Sequence, residues 1–181
     1  MSIVFAVLLT TVLSLAPAGA SPAPRARLTP ERIEAMLTAP ERRVRALSPT
    51  LATLVAEGVR RSYTFARLLQ SLDEADLIVY IESQPDLPTA LVGRLMIVPS
   101  RHPQRYVRVE IAPLGSGDDL ICVMAHELQH ALEVAMAPGV RDEEGLAALY
   151  RRIGHITGGR QEFDTIAARE MGRMVRSELA G

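Results

Sequence analysis

The chain has 181 residues, of which 48% are hydrophobic, 23% charged and 4% aromatic. Its 20 basic residues, all arginine, and 21 acidic ones leave a formal net charge of -1, which excludes a nucleic-acid binder held by bulk electrostatics, since no positive field exists to release counterions. The single Cys122 excludes an intrachain disulfide framework and any thiolate cluster for zinc or iron–sulfur, and the length suits one domain with its own core.

Residues 1–20 read as a leader. Ile3 to Leu15 is almost wholly apolar, and Ala18 and Ala20 fit a signal-peptidase site with cleavage after Ala20. The apolar run is shorter than the roughly 20 residues a membrane anchor needs, so the expectation is an exported chain without stable membrane insertion once the leader is removed. Retention of the leader would leave it membrane-anchored. Residues 21–47 read as a Pro/Arg-rich lead followed by a short helix. Thr29 caps that helix, Pro30 begins it, Ile33, Met36 and Leu37 form its apolar face, and Pro40 closes it. The main domain is expected over 48–181.

Ser48-Pro49 repeats the start signal, predicting a helix to about Val59 with Leu51, Leu54 and Val55 on one side. Ser62 to Leu72 follows with Phe65, Leu68, Leu69 and Leu72 at helical spacing. The period then changes to that of strands. Leu77–Glu82 and Leu91–Val98 are strand candidates, and Arg105–Ile111 alternates Tyr106, Arg108 and Glu110 with Val107, Val109 and Ile111. Short connections predict mostly antiparallel pairing. Asp118 or Asp119 is the expected cap of a helix to about Ala137, stopped by Pro138-Gly139. A helix from Asp142 to Ile153, a turn at Gly158-Gly159 and a last helix from about Phe163 complete the chain. Helices, then a small three-stranded sheet, then helices define an α+β domain.

The fourth predicted helix of the chain carries His126-Glu127-Leu128-Gln129-His130. Positions i and i+4 lie one above the other on a helix face, so two imidazoles can converge on one metal ion while Glu127 addresses a water beside it. Zinc lowers the pKa of bound water to about 7, which supplies a nucleophile at neutral pH.

On that motif, and on the strand preceding its helix, the chain resembles the zincin superfamily of zinc metallopeptidases. The resemblance implies His126 and His130 as zinc ligands, Glu127 as general base, Zn2+ as the cofactor and a peptide or protein as the substrate. It also implies a sheet ahead of the active-site helix whose edge strand, Arg105–Ile111 or its neighbour, lines the cleft. Glu133 and Met136 stand where a metzincin has Gly and His, so that branch does not fit. Gluzincins complete the site with an acidic residue on a later helix followed by small residues, which implies Asp164, ahead of Ala167 and Ala168, as the third ligand. Glu162, Glu144 and His155 remain alternatives.

Glu133 reads as a surface group or one behind the ligands, and Asp142, Glu143 and Glu144 as acidic residues favoured by a helix dipole. Tyr150 and His155 are candidates to stabilise an oxyanion, though Tyr150 also reads as a half-buried helix residue and His155 as a helix cap. Arg108 and Glu110 read as the wet face of the sheet, and Cys122 as a small core residue. Two functions follow. One is an exported zinc peptidase; the alternative is an exported domain whose metal site is structural or degenerate and which acts by binding a partner.

Overall fold

A computed structural model of the chain describes residues 29–39, 42–88, 90–156 and 163–181. The leader at 1–20, the lead to residue 28, Pro40, Glu162 and the Gly158-Gly159 turn lie outside the described residues, as do the side chains of Met36 and Leu37. Helix α1 (Pro30–Thr38) comes first, with Ile33 packed against the main core. Strand β1 (Val44–Ala46) and helices α2 (Pro49–Arg61) and α3 (Tyr63–Asp73) follow. The Ser48 and Ser62 side chains accept from the amides of Leu51 and Phe65, so each serine satisfies an otherwise orphaned donor of the helix it opens.

Strands β2 (Ile78–Ser83), β3 (Gly93–Val98) and β4 (Tyr106–Ile111) precede helix α4 (Gly117–Ala135) and helix α5 (Glu143–Ile153). A two-stranded hairpin, β5 (His155–Ile156) and β6 (Phe163–Asp164), leads into helix α6 (Ile166–Leu179). Among the described residues no helix is long and apolar enough to cross a membrane.

The α+β class holds, but the sheet differs from the expected three-stranded, mostly antiparallel one. It is four-stranded and mixed, ordered β1-β2-β4-β3. Val44 pairs with Val79 and Ile78 with Tyr106 in parallel, while only β3 and β4 run antiparallel. The first strand comes from the segment assigned to the lead, so the domain begins before residue 48. Three residues are too few to display a strand period, yet Val44 is buried against the helices. The connection from β1 to β2 runs through α2 and α3, the kind of crossover parallel strands need. The link from β2 to β3 is short, but β4 inserts between them. With Val107, Val109 and Ile111 all buried, β4 takes an interior place, and β3, opening on Gly93 and Arg94, takes the edge.

One face of the sheet packs on α2, α3 and α4 through Val79, Ile81, Leu95, Val107 and Val109. The other face carries Tyr80 stacked with Tyr106, and Arg108 beside Glu82. Glu110 also lies there but is not wet. It is 2% exposed and ion-paired with Arg94.

Helix α4 is the spine of the molecule. Its first turn is closed by Ser116, not by Asp118 or Asp119. The Ser116 side chain accepts from the Asp119 amide and the Asp119 carboxylate accepts from the Ser116 amide, a reciprocal capping box. Its last carbonyls are met from outside the helix. The buried Arg105 guanidinium donates to the carbonyls of Val134 (2.9 Å), Ala135 (3.1 Å) and Ala137 (3.1 Å), satisfying acceptors that a helix end leaves open. Helix α6 packs along α4, and Gly172 permits the approach. A Cβ at Gly172 would lie 3.3 Å from the Cys122 carbonyl oxygen and 3.6 Å from the His126 Cβ.

Replacing Ser116 with Ala is expected to lower stability by about 1 kcal/mol, read by urea unfolding. Hydrogen bonds from Arg176 and Ser116 hold the Asp119 carboxyl at about 2, below its ordinary 3.8. A lowered folded-state pKa contributes stability that is complete above the ordinary value and lost as pH falls through the folded one. The difference in melting temperature between wild type and Asp119→Asn should therefore be full at about pH 5 and vanish towards about pH 2; a difference constant over that range would contradict the capping box.

Candidate metal centre

The middle of α4 presents His126 and His130 one turn apart, and their Nε2 atoms face each other at 3.2 Å. Asp164 Oδ1 lies 3.3 Å from His126 Nε2 and 3.8 Å from His130 Nε2. These three donor atoms all fall within 4.8 Å of one another and all three residues are buried. Zinc bonds of about 2.0–2.2 Å in a tetrahedron set ligand atoms roughly 3.4 Å apart, which is the scale of this triangle. The donor set, two imidazoles and a carboxylate, is one that zinc accepts.

Asp164 does not sit on the last helix, as expected, but on the strand just before it. Thr165 is the N-cap of α6, its hydroxyl accepting from the Ala168 amide, so the chain at Asp164 is still extended. The hairpin with His155–Ile156 fixes that strand, and from it the short aspartate reaches the histidine pair. Asp164 Oδ1 also accepts from the Thr165 amide at 2.7 Å, and Arg169 Nε lies 3.3 Å from Oδ2.

The remaining candidates separate cleanly. Glu144 is exposed on the first turn of α5, and Asp142 caps that helix by accepting from the Gly145 amide. His155 is an exposed strand residue rather than a cap. It is the register partner of Asp164, but it is not in the donor group. Tyr150 is fully buried, not half-buried. Its hydroxyl stands 3.1 Å from His130 Nδ1 and donates to the His130 carbonyl at 3.3 Å. That is the side of the ring turned away from the donor triangle, so Tyr150 does not face the atoms an oxyanion would approach. Cys122 is buried, as expected.

Glu133 is no surface group. It is 7% exposed, and its Oε2 lies 2.9 Å from His130 Nδ1. A carboxylate behind a histidine fixes the ring with Nδ1 protonated and the Nε2 lone pair directed outward. Burial would raise the Glu133 and Asp164 carboxyls. Against that burial, the histidines opposite them together with hydrogen bonds from Thr165, and from Tyr150 in the case of Glu133, bring both below their ordinary values. Burial pushes the His126 imidazole down, with Asp164 opposing.

Glu127 is different in kind. It is fully buried, and neither carboxylate oxygen has a hydrogen-bond partner among the described residues. Burial first, then the charges of Asp164 and Glu133, push its carboxyl well above the ordinary value. Room for it comes from the edge strand, where a Cβ at Gly93 would lie 2.9 Å from both Glu127 Oε1 and Val123 Cγ1. The spacing of the histidines was readable in the sequence, and Glu133 three residues after His130 was a readable same-face neighbour. Gly93, Gly172 and Thr165 gave only the generic signals of a strand break, a helix glycine and a cap.

A raised folded-state pKa means that the folded chain holds its proton longer than the unfolded one. In metal-free protein, Glu127 should therefore reduce stability as pH rises above the ordinary glutamate value, until its folded pKa is passed. Glu127→Gln is expected to raise the melting temperature of the chelator-treated protein by roughly 3–6 °C near neutral pH, and the gain should shrink towards pH 4. A variant no more stable than wild type at neutral pH would show that the carboxylate is not a buried charge without partners. No protein-family model matches the chain, and no curated protein or solved structure matches it.

Proposed function

We propose that this chain is an exported zinc-dependent metallopeptidase of gluzincin-like type that hydrolyses peptide bonds. His126, His130 and Asp164 would hold the ion, which when bound supplies a Lewis acid and brings the pKa of water down to about 7. The observation that carries the reading is Glu127. A fully buried carboxylate without a hydrogen-bond partner costs stability, and such a cost is characteristic of a reacting group. Standing next to the donor set with its proton affinity raised, Glu127 takes a proton from the attacking water and passes it to the departing amine. Glu133 keeps His130 in the tautomer whose Nε2 is free. Gly93, at the start of the edge strand, leaves the space that the Glu127 carboxylate occupies.

The alternative, a structural site in a binding module, is closed by four protein ligands. Among the described residues three donor atoms gather, and the carboxylate beside them has no structural partner, which favours the peptidase. Export rests on the apolar stretch Ile3 to Leu15 and the small residues Ala18 and Ala20.

Purified protein is expected to take up one zinc ion per chain, Asp164→Ala to lose it and Glu162→Ala to keep it, measured by metal analysis after dialysis. Glu127→Gln should keep its zinc while peptidase activity falls about 10²–10⁴-fold. Wild type without zinc, or activity surviving Glu127→Gln, would overturn the proposal. The mature protein recovered outside the cytoplasm should begin at Ser21, read by N-terminal sequencing; an intact Met1 in that fraction would contradict leader cleavage.

A further inference from the structure

Resting on the zinc reading above, we infer that Glu133 and Thr165 are a positioning couple that ties His130 on α4 to Asp164 on β6, so that the donor set is assembled before any ion arrives. Both oxygens of Glu133 are committed. Oε2 faces His130 Nδ1 at 2.9 Å, and Oε1 accepts the Thr165 hydroxyl at 2.7 Å. That hydroxyl also accepts from the Ala168 amide at 3.0 Å, and the Thr165 amide donates to Asp164 Oδ1 at 2.7 Å. Oδ1 is the oxygen that faces both histidines. A continuous buried path therefore runs from one metal ligand to another: His130, Glu133, Thr165, Asp164.

Hydrogen-bond inventory gives this path a direction. A hydroxyl has one proton to give, while a carboxylate only accepts. With one lone pair engaged by the Ala168 amide, the Thr165 hydroxyl sends its single proton to Glu133, which can only accept. Glu133 then has its other oxygen for the His130 Nδ1 proton, which leaves Nε2 as the donor atom. The residue that starts α6 is thus fastened to the residue that orients a ligand on α4. Because His130, Glu133, Thr165 and Asp164 are all at most 7% exposed, water does not compete for these bonds. Ordering that is already present in the free protein is not lost on binding, which strengthens affinity.

A plain helix cap would need only an acceptor at residue 165, a role that serine or aspartate fills as well as threonine. The couple needs a donor towards Glu133 as well. Zinc affinity of the full chain, measured by competition with a chromophoric chelator, separates the two. Thr165→Ser should bind zinc within about 3-fold of wild type, and Thr165→Val about 10-fold or more weakly. In a Glu133→Ala background, the Thr165→Val effect should shrink to within about 2-fold, because the bond it removes is already gone. Glu133→Leu, which also has no acceptor for the Thr165 hydroxyl, serves in the same cycle should Glu133→Ala not fold.

Thr165→Val binding zinc like wild type, or costing the same with and without Glu133, would overturn the couple and leave Thr165 a cap only. Wild type taking up no zinc would instead overturn the metal reading and the couple with it.

Discussion

Two imidazole nitrogens and a carboxylate oxygen crowd into one buried spot, and a second buried carboxylate, Glu127, stands on the same helix within reach of the Asp164 charge. Taking such groups out of water is costly, and low-polarity surroundings leave that cost standing wherever a group has no partner, as at Glu127. Nothing in ordinary core packing favours such an arrangement. Proteins that keep one spend stability on it, and the remainder of this fold can be understood as what holds the cluster in place.

The holding is done by α4, which lies between the sheet on one side and α6 on the other. The capping box at Ser116 and Asp119 and the Arg105 guanidinium secure its two ends. Between those ends the side chains of one helix face in different directions with different tasks. Ile121, Met124 and Leu128 are fully buried core residues. His126 and His130 turn towards β6, and Glu127 turns towards the edge strand at Gly93. Two glycines set the clearances. Gly93 leaves volume for a carboxylate, and Gly172 lets α6 approach closely enough for its leading strand to deliver Asp164. Side chains at either position would force the neighbouring atoms to move.

The polar members of the cluster fall into two groups. Glu133, Thr165 and Tyr150 are engaged with the candidate donor residues or with each other, so they specify geometry. Glu127 is engaged with nothing among the described residues, and its proton affinity is raised by burial first and then by the charges of Asp164 and Glu133. Groups bound into a network resist change, whereas a group kept apart from it can gain and lose a proton without dismantling the site. The separation follows from helix geometry. Glu127 lies one residue after His126 and so projects about 100° around the axis from it, out of reach of Glu133 and Thr165.

The sequence by itself determined the α+β class, the places of its main helices and interior strands, the start signal at Ser48, and the histidine pair with its neighbouring glutamate. All of these are local, written in spacing over a few residues, and Asp164 followed only from resemblance. Tertiary structure decided the rest. It recruited Val44–Ala46 into the sheet and paired β2 with β4 in parallel, because strand partners are chosen by burial across the whole sheet and not by the length of one connection. It turned Asp164 from a helix residue into a strand residue ahead of a threonine cap, and made Glu133 and Glu110 buried rather than wet. A carboxylate's burial depends on which cation or donor stands opposite, Arg94 for Glu110 and His130 for Glu133. Glu110 and its partner meet only when β3 and β4 pair, while Glu133, already beside its histidine on one helix, gains its second partner only when Thr165, at the start of α6, reaches it.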